Sequence, residues 1–251
     1  MDRREAILRE LNLFPQWKRR ESPVAGEANH VPDAREAKIP SVPDEKEVSA
    51  RTEARDVPVV SPVSGIDELD WPQLKQRVSA CTACKLRAGC KQTVFGVGDE
   101  NADWLFVGEG PGADEDALGE PFVGQAGKLL DNMLMAIKLK RGENVYIANI
   151  VKCRPPANRN PEAEEIATCL PYLRRQIELI KPRVIVALGK VASNALLGKD
   201  ATLASLRGKL HDYHGTALIV TYHPAYLLRS PSEKAKAWQD LLLAVENMPK
   251  A

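Results

Sequence analysis

Three short segments of this 251-residue chain concentrate side chains able to do chemistry. The first, GEGPGADEDALGEPFVGQAG (Gly108–Gly127), mixes six glycines with Glu109, Glu115 and Asp116. Glycines let backbone N–H groups come close to a ligand. Carboxylates beside them can orient a water or stabilise a developing positive charge. The second segment, YIANIVKCRPPANRNP, carries Asn149 and Cys153. The third, HPAYLLR, opens on His223 and closes on Arg229. Cysteines form a further constellation: Cys81 and Cys84 make a C-x-x-C, and Cys153 and Cys169 follow with 15 residues between them. Four thiolates suit either structural zinc or an iron–sulfur cluster, and spacing alone leaves both open. Five scattered cysteines argue against a secreted disulfide framework. The glycine-rich loop is not a dinucleotide fingerprint, because Pro111 interrupts it and the third glycine is missing. Without GK[ST] it is not a P-loop either.

These segments need elements to hold them. Asp70 can cap a helix running through LKQRVSAC, with Pro72 in its first turn. Strands are predicted at Trp104–Val107, Val145–Asn149, Val184–Ala187 and Ala217–Thr221. Helices are predicted at Gly127–Ile137, Pro161–Ile180, Lys190–Leu197 and Ser232–Glu246. Such alternation predicts a parallel sheet with helices on both faces. In sheets of that kind ligands bind outside the carboxyl ends of the strands. All three loaded segments follow directly on predicted strands.

The chain divides into a short amphipathic peptide (1–20), a linker (21–66) and a folded domain (67–251). In the peptide, Ile7, Leu8, Leu11 and Leu13 fall near one helical face. The linker is rich in Pro, Glu, Ala, Ser and Val, too poor in large apolar residues to order itself. Residues 1–70 sum to −4 and residues 71–251 to +5, so the domain is mildly basic, compatible with nucleic acid. No apolar run reaches the roughly 20 residues of a membrane helix, and no secretory signal opens the chain. A cytoplasmic monomer is expected.

Taken in order from Trp71 to Glu246, GEGPGADEDALGEPFVGQAGKLLDNML, YIANIVKCRPPANRNP and HPAYLLR resemble the signatures of the family 4 uracil-DNA glycosylases. The resemblance implies a three-layer α/β/α fold with a central, mostly parallel four-stranded sheet. It implies removal of uracil from DNA by hydrolysis of the N-glycosidic bond, leaving an abasic site for base excision repair. It also implies a [4Fe–4S] cluster held by Cys81, Cys84, Cys153 and Cys169, whereas Cys90 matches no ligand position.

An enzyme acting on a base in a duplex must flip it into a pocket. There the resemblance makes Phe122 the stacking aromatic and Asn149 the reader of the uracil edge, with Gly110 also in the binding site. His223 would donate to uracil O2 as the uracil anion leaves. Glu109 is the first choice for the carboxylate that stabilises the sugar cation and orients water, with Glu115 and Asp116 as alternatives. In related glycosylases an Asp does this at the place of Gly110. Leu227 matches the wedge that fills the space left by the flipped base, with Arg229 on a phosphate. Arg154, Lys152 and Lys190 are further phosphate candidates. No lysine stands where a Schiff base would form, and CRPPANRNP lacks the histidine of DNA-linking relatives, so a monofunctional enzyme is expected. The rival reading is a non-catalytic cluster-bearing module that binds DNA or uracil. A second resemblance, of residues 3–20 to the N-terminal peptide of a clamp-loader accessory subunit, implies docking to a replication or repair protein.

Overall fold

In the computed structural model, residues 65–249 are described. The peptide at 1–20 and the linker up to residue 64 lie outside them. Ile66, assigned to the linker by sequence, is 1% exposed and packs in the core, so the folded unit starts slightly earlier than Asp67.

The first helix, α1 (Trp71–Ser79), starts as the sequence predicts. Asp70 accepts the Gln73 N–H at 2.9 Å, and the Gln73 side chain accepts the Asp70 N–H at 3.1 Å. This reciprocal box satisfies two otherwise orphaned donors. A short turn of helix, α2 (Leu86–Gly89), and a two-residue strand, β1 (Val97–Gly98), follow. The central strands are β2 (Trp104–Gly108), β3 (Val145–Asn149), β4 (Val184–Leu188) and β6 (Thr216–Thr221), with β5 (Leu210–Tyr213) before the last.

The sheet is mixed and six-stranded, in the order β1-β3-β2-β4-β6-β5. The four predicted strands pair parallel in the middle. The expected four-stranded sheet is therefore corrected by an antiparallel strand at each edge, β1 on β3 and β5 on β6. Both edges lack a readable pattern. β1 has two residues, and β5 buries only Tyr213. A two-residue turn, His214–Gly215, joins β5 to β6 with both φ angles positive (49° and 89°), the geometry that suits tight hairpins.

Period-two burial splits the central strands between two cores. Leu105, Val107, Ala148 and Ile185 face one side with Leu74 of α1 and Leu173 of α5 (Ala163–Ile180). Trp104, Phe106, Ile147 and Val186 face the other. There they meet Leu130 of α4 (Gln125–Ala136) and Leu241 of α9 (Lys234–Glu246). Two buried faces explain why these strands read as continuous apolar runs. The remaining helices are α3 (Ala113–Leu118), α6 (Lys190–Leu197), α7 (Leu203–Leu206) and α8 (Pro224–Arg229). Among the described residues no helix is long and apolar enough to cross a membrane.

Candidate active site

The loaded segments after β2, β3 and β6 converge on one cavity of about 390 Å³. Glu109, Gly110, Phe122, Asn149, His223 and Arg229, all singled out from the sequence, line it together. Hydrogen bonds from Ile150 N to Gly108 O (3.0 Å) and Val151 N to Glu109 O (3.1 Å) tie the end of β3 to the turn after β2.

Asn149 ends β3 and is 2% exposed. Its Oδ1 has no hydrogen-bond partner among the described residues. A buried acceptor left unpaired costs roughly 1–3 kcal/mol. The amide lies against Gly108, where a Cβ would meet Asn149 Oδ1 and also Phe122 Cζ at 2.6 Å. Only glycine lets reader and ring pack against the same strand end.

Phe122 is buried in an unusual backbone state, with φ at +56°. A bulky residue held there costs about 1–3 kcal/mol. Arg141 holds it. Its guanidinium donates to Pro121 O (2.9 Å) and Phe122 O (2.8 Å), while its Nε donates to Asp131 (2.9 Å). Gly127, in the first turn of α4, lies so close beneath the Phe122 carbonyl that no Cβ fits there. The phenyl ring stands 5.5 Å from the His223 ring, tilted 31°.

HPAYLLR, for which the sequence predicts no helix, forms α8 with His223 as its N-cap and Pro224 at its start. Ala225 N–H donates to His223 Nδ1 at 3.2 Å. Because Nδ1 accepts, the proton of the neutral ring sits on Nε2. Burial, aided by Arg229, pushes the imidazole pKa down to about 4, with Glu115 acting weakly the other way. Helicity also decides which leucine faces outward. Leu227 is 1% exposed and packs in the core with Leu130 and Leu241, whereas Leu228 is 44% exposed. The wedge assignment to Leu227 is therefore corrected: a core side chain cannot enter a duplex without unpacking the domain.

The three candidate carboxylates separate sharply. Glu115 Oε1 accepts Val123 N (3.0 Å) and Gly124 N (3.2 Å), and its Oε2 accepts Gly112 N (3.1 Å). It lines the cavity too, but these bonds commit both of its oxygens to folding the glycine loop. Asp116 is 3% exposed and accepts Lys91 N at 2.8 Å. Both alternatives are thus engaged in structure. Glu109 makes no side-chain hydrogen bond or ion pair among the described residues, and burial raises its pKa above the usual carboxylate range.

Of the phosphate candidates, Lys152 is corrected, because at 1% exposure it reaches no surface. Lys190 pairs with Asp200 at 3.3 Å, and Arg154 donates to Asn158 at 2.7 Å. Among the cavity residues that escaped the sequence reading, two carry large side chains able to meet a ligand. Tyr226 stacks on Tyr222 at 5.2 Å, and Arg159 is held by Glu165 through two bonds of 2.8 and 2.7 Å. Tyr226 lies three residues beyond His223, a spacing that places it nearby only once the segment is known to be helical.

Cys81, Cys84, Cys153 and Cys169 line a second, small cavity together with Lys152 and Tyr172. Tyr172 O–H donates to Cys81 Sγ (3.3 Å) and the Lys152 backbone N–H donates to Cys169 Sγ (3.2 Å). Burial pushes the Cys169 thiol up to about 11 and raises Cys84 and Cys153 as well. Such thiols give up their protons to a bound metal more readily than to water. Among the described residues no three His, Cys, Asp or Glu side chains converge on a single ion. Cys90 is buried and does not line this cavity, but it adjoins Cys153, whose thiol it helps to raise, and its sulfur lies against Arg87.

The family model described as Uracil DNA glycosylase superfamily matches residues 95–242. The type-4 uracil-DNA glycosylase of Thermotoga maritima is 46% identical over 165 residues, which are 65% of this chain and 85% of the relative. The type-4 enzyme of Pyrobaculum aerophilum is 42% identical over 185 residues, 70% of this chain and 93% of the relative. A type-5 uracil-DNA glycosylase of the same organism is 35% identical over 148 residues, 52% and 64% of the two chains.

Proposed function

This chain belongs to the uracil-DNA glycosylase superfamily, within its type-4 group, and we propose that the cavity at the strand ends is where it releases uracil. The protein is a monofunctional uracil-DNA glycosylase of DNA repair: it hydrolyses the N-glycosidic bond of uracil in DNA.

The unpartnered Oδ1 of buried Asn149 carries the assignment of the pocket. An amide offers an acceptor and a donor, which match N3–H and O4 of uracil. Cytosine presents the opposite pattern and leaves the amide unpaired, a penalty of roughly 1–3 kcal/mol. Phe122 stacks on the flipped base. His223, neutral and protonated on Nε2, donates to O2 as negative charge gathers on the departing uracil. Glu109 faces the sugar, stabilises its positive charge and orients the attacking water. Exposed Leu228 replaces Leu227 as the wedge, with Arg229 beside it for a phosphate.

Cys81, Cys84, Cys153 and Cys169 are proposed to hold a [4Fe–4S] cluster. Four thiols from three segments that the fold brings to one cavity are the donor set such a cluster takes, and the type-4 relatives support iron–sulfur over zinc. The bound cluster would supply a cross-link between the segment after α1, the loop after β3 and α5, with no electron transfer in the reaction.

The test is release of uracil from a labelled oligonucleotide with one uracil, followed by alkaline cleavage of abasic sites. Strand scission with uracil, none with thymine, and a loss of at least tenfold in Asn149→Ala are expected. An Asn149→Ala variant as fast as the parent protein would remove the pocket assignment.

A further inference from the structure

The interior between the cysteine cavity and the uracil pocket holds a charge that the reaction scheme leaves unused. Lys152 follows Asn149 by three residues and precedes Cys153, and it is 1% exposed. Its Nζ donates to Asn149 O at 3.0 Å and to Gln176 Oε1 at 2.6 Å. Gln176, fully buried, passes the chain on through its Nε2 to Phe95 O (3.1 Å) and Tyr146 Oη (3.4 Å). None of these partners carries a negative charge. Among the described residues no carboxylate pairs with Lys152. A buried ammonium without a counter-charge is strongly disfavoured. The group beside it able to carry one is the set of four thiols, whose cavity Lys152 itself lines. Its own backbone N–H also donates to Cys169 Sγ, at 3.2 Å.

We propose that Lys152 is a positioning residue that serves as the buried counter-charge of the thiolate-bound cluster and tethers the Asn149 end of β3 to it. The inference rests on the reading of Asn149 as base reader and of the four cysteines as cluster ligands. One side chain then spans both sites. Its stem and ammonium are held by the cluster's charge, and its remaining bonds fix the carbonyl of the residue that reads uracil. The cluster thereby sets the precision of base reading without touching DNA. Supporting partners of this kind are often worth tenfold or more in affinity or activity.

The test compares the full-length, cluster-loaded protein with Lys152→Met and Lys152→Arg. Three readings are taken: the cluster's reduction potential, inhibition by free uracil, and affinity for DNA carrying an abasic site. In Lys152→Met the potential is expected to fall, because a nearby positive charge that favours the reduced cluster is gone. The uracil inhibition constant is expected to rise about tenfold, while abasic-DNA affinity stays unchanged. Lys152→Arg retains a potential near that of the parent. Loss of cluster loading in Lys152→Met but not in Lys152→Arg also supports the counter-charge. Unchanged potential and uracil inhibition in Lys152→Met overturn the proposal. Loss of loading in both variants overturns it too, since packing alone then explains the lysine. A parent protein without iron or without uracil release would instead refute the underlying reading of the two sites.

Discussion

Arg141 lies outside the cavity, yet its removal should damage both stability and catalysis. Two of its donors hold the carbonyls of Pro121 and Phe122, at 2.9 and 2.8 Å, and so fix a residue with φ at +56°. Hydrogen bonds from a charged donor contribute roughly 1.5–3 kcal/mol each when buried. The Arg141 side chain keeps 23% of its exposure, so the lower end of that range applies. Arg141→Ala should therefore cost about 2–3 kcal/mol, relieved in part as Phe122 relaxes out of its strained backbone. For a unit of this size that lowers the thermal midpoint by about 4–12 °C. Relaxation carries the phenyl ring away from the base, and a misplacement of about 1 Å can cost 100-fold, so kcat/KM should drop by about 10–100-fold. Thermal melts and single-turnover uracil release, both well below the midpoint, measure the two effects. Asp131→Ala is the control. Its carboxylate is 44% exposed, and an exposed pair is worth about 0–1 kcal/mol. Parental melting and parental kcat/KM in Arg141→Ala would refute the claim that this guanidinium holds the stacking residue in place. Equal damage from Asp131→Ala would assign the effect to the ion pair instead.

The adjacent leucines of α8 should behave oppositely. Leu227→Ala should destabilise by about 2–5 kcal/mol, as core truncations do. Leu228→Ala should leave the melt unchanged and slow uracil release from duplex more than from single strands; reversed phenotypes would restore Leu227 as the wedge. His223 titrates near 4 in the folded protein against 6.5 ordinarily. As pH falls from about 6.5, the unfolded chain takes up its proton first, so stability declines down to about pH 4 and levels off below it. His223→Gln should flatten that part of the melting profile. The acid limb of kcat/KM should belong to Glu109 and disappear in Glu109→Gln, leaving a low, pH-independent rate. Cys169→Ser should lose iron by metal analysis, whereas Cys90→Ser should keep a full complement; stoichiometric zinc in the parent would sink the cluster assignment.

Much of the fold was legible because its central strands are buried on both faces and bounded by turn residues. β3 was read to the residue at Val145–Asn149, and α6 at Lys190–Leu197. What escaped was short or exposed. β1 offers no period, β5 presents Leu210 to solvent, and α3 hides in a stretch that reads as solvated acid. There the side chain of Glu115 folds back to accept the Gly112 N–H, half of a capping box, since glycine has no side chain to return the bond. The pocket residues were legible since they sit at strand ends. The choice between Leu227 and Leu228 was not, for it turns on HPAYLLR being a helix, and six residues are too few for a periodicity to establish that. Lys152 was misread for a related reason: a lysine in a strand-end loop looks like a surface cation until the buried partners are known.

Gly108 has a consequence for how such a pocket can change. Its single hydrogen separates the amide that reads the base edge from the ring that covers the base face. Any added carbon there displaces both at once. Base preference therefore has no gradual route through that position: variants at 108 keep the whole site or lose it. Selection for a new base, in nature or in the laboratory, has its gradual routes elsewhere in the lining, as at Ala126, Ala225 and Tyr226, where small enlargements can be tried one at a time.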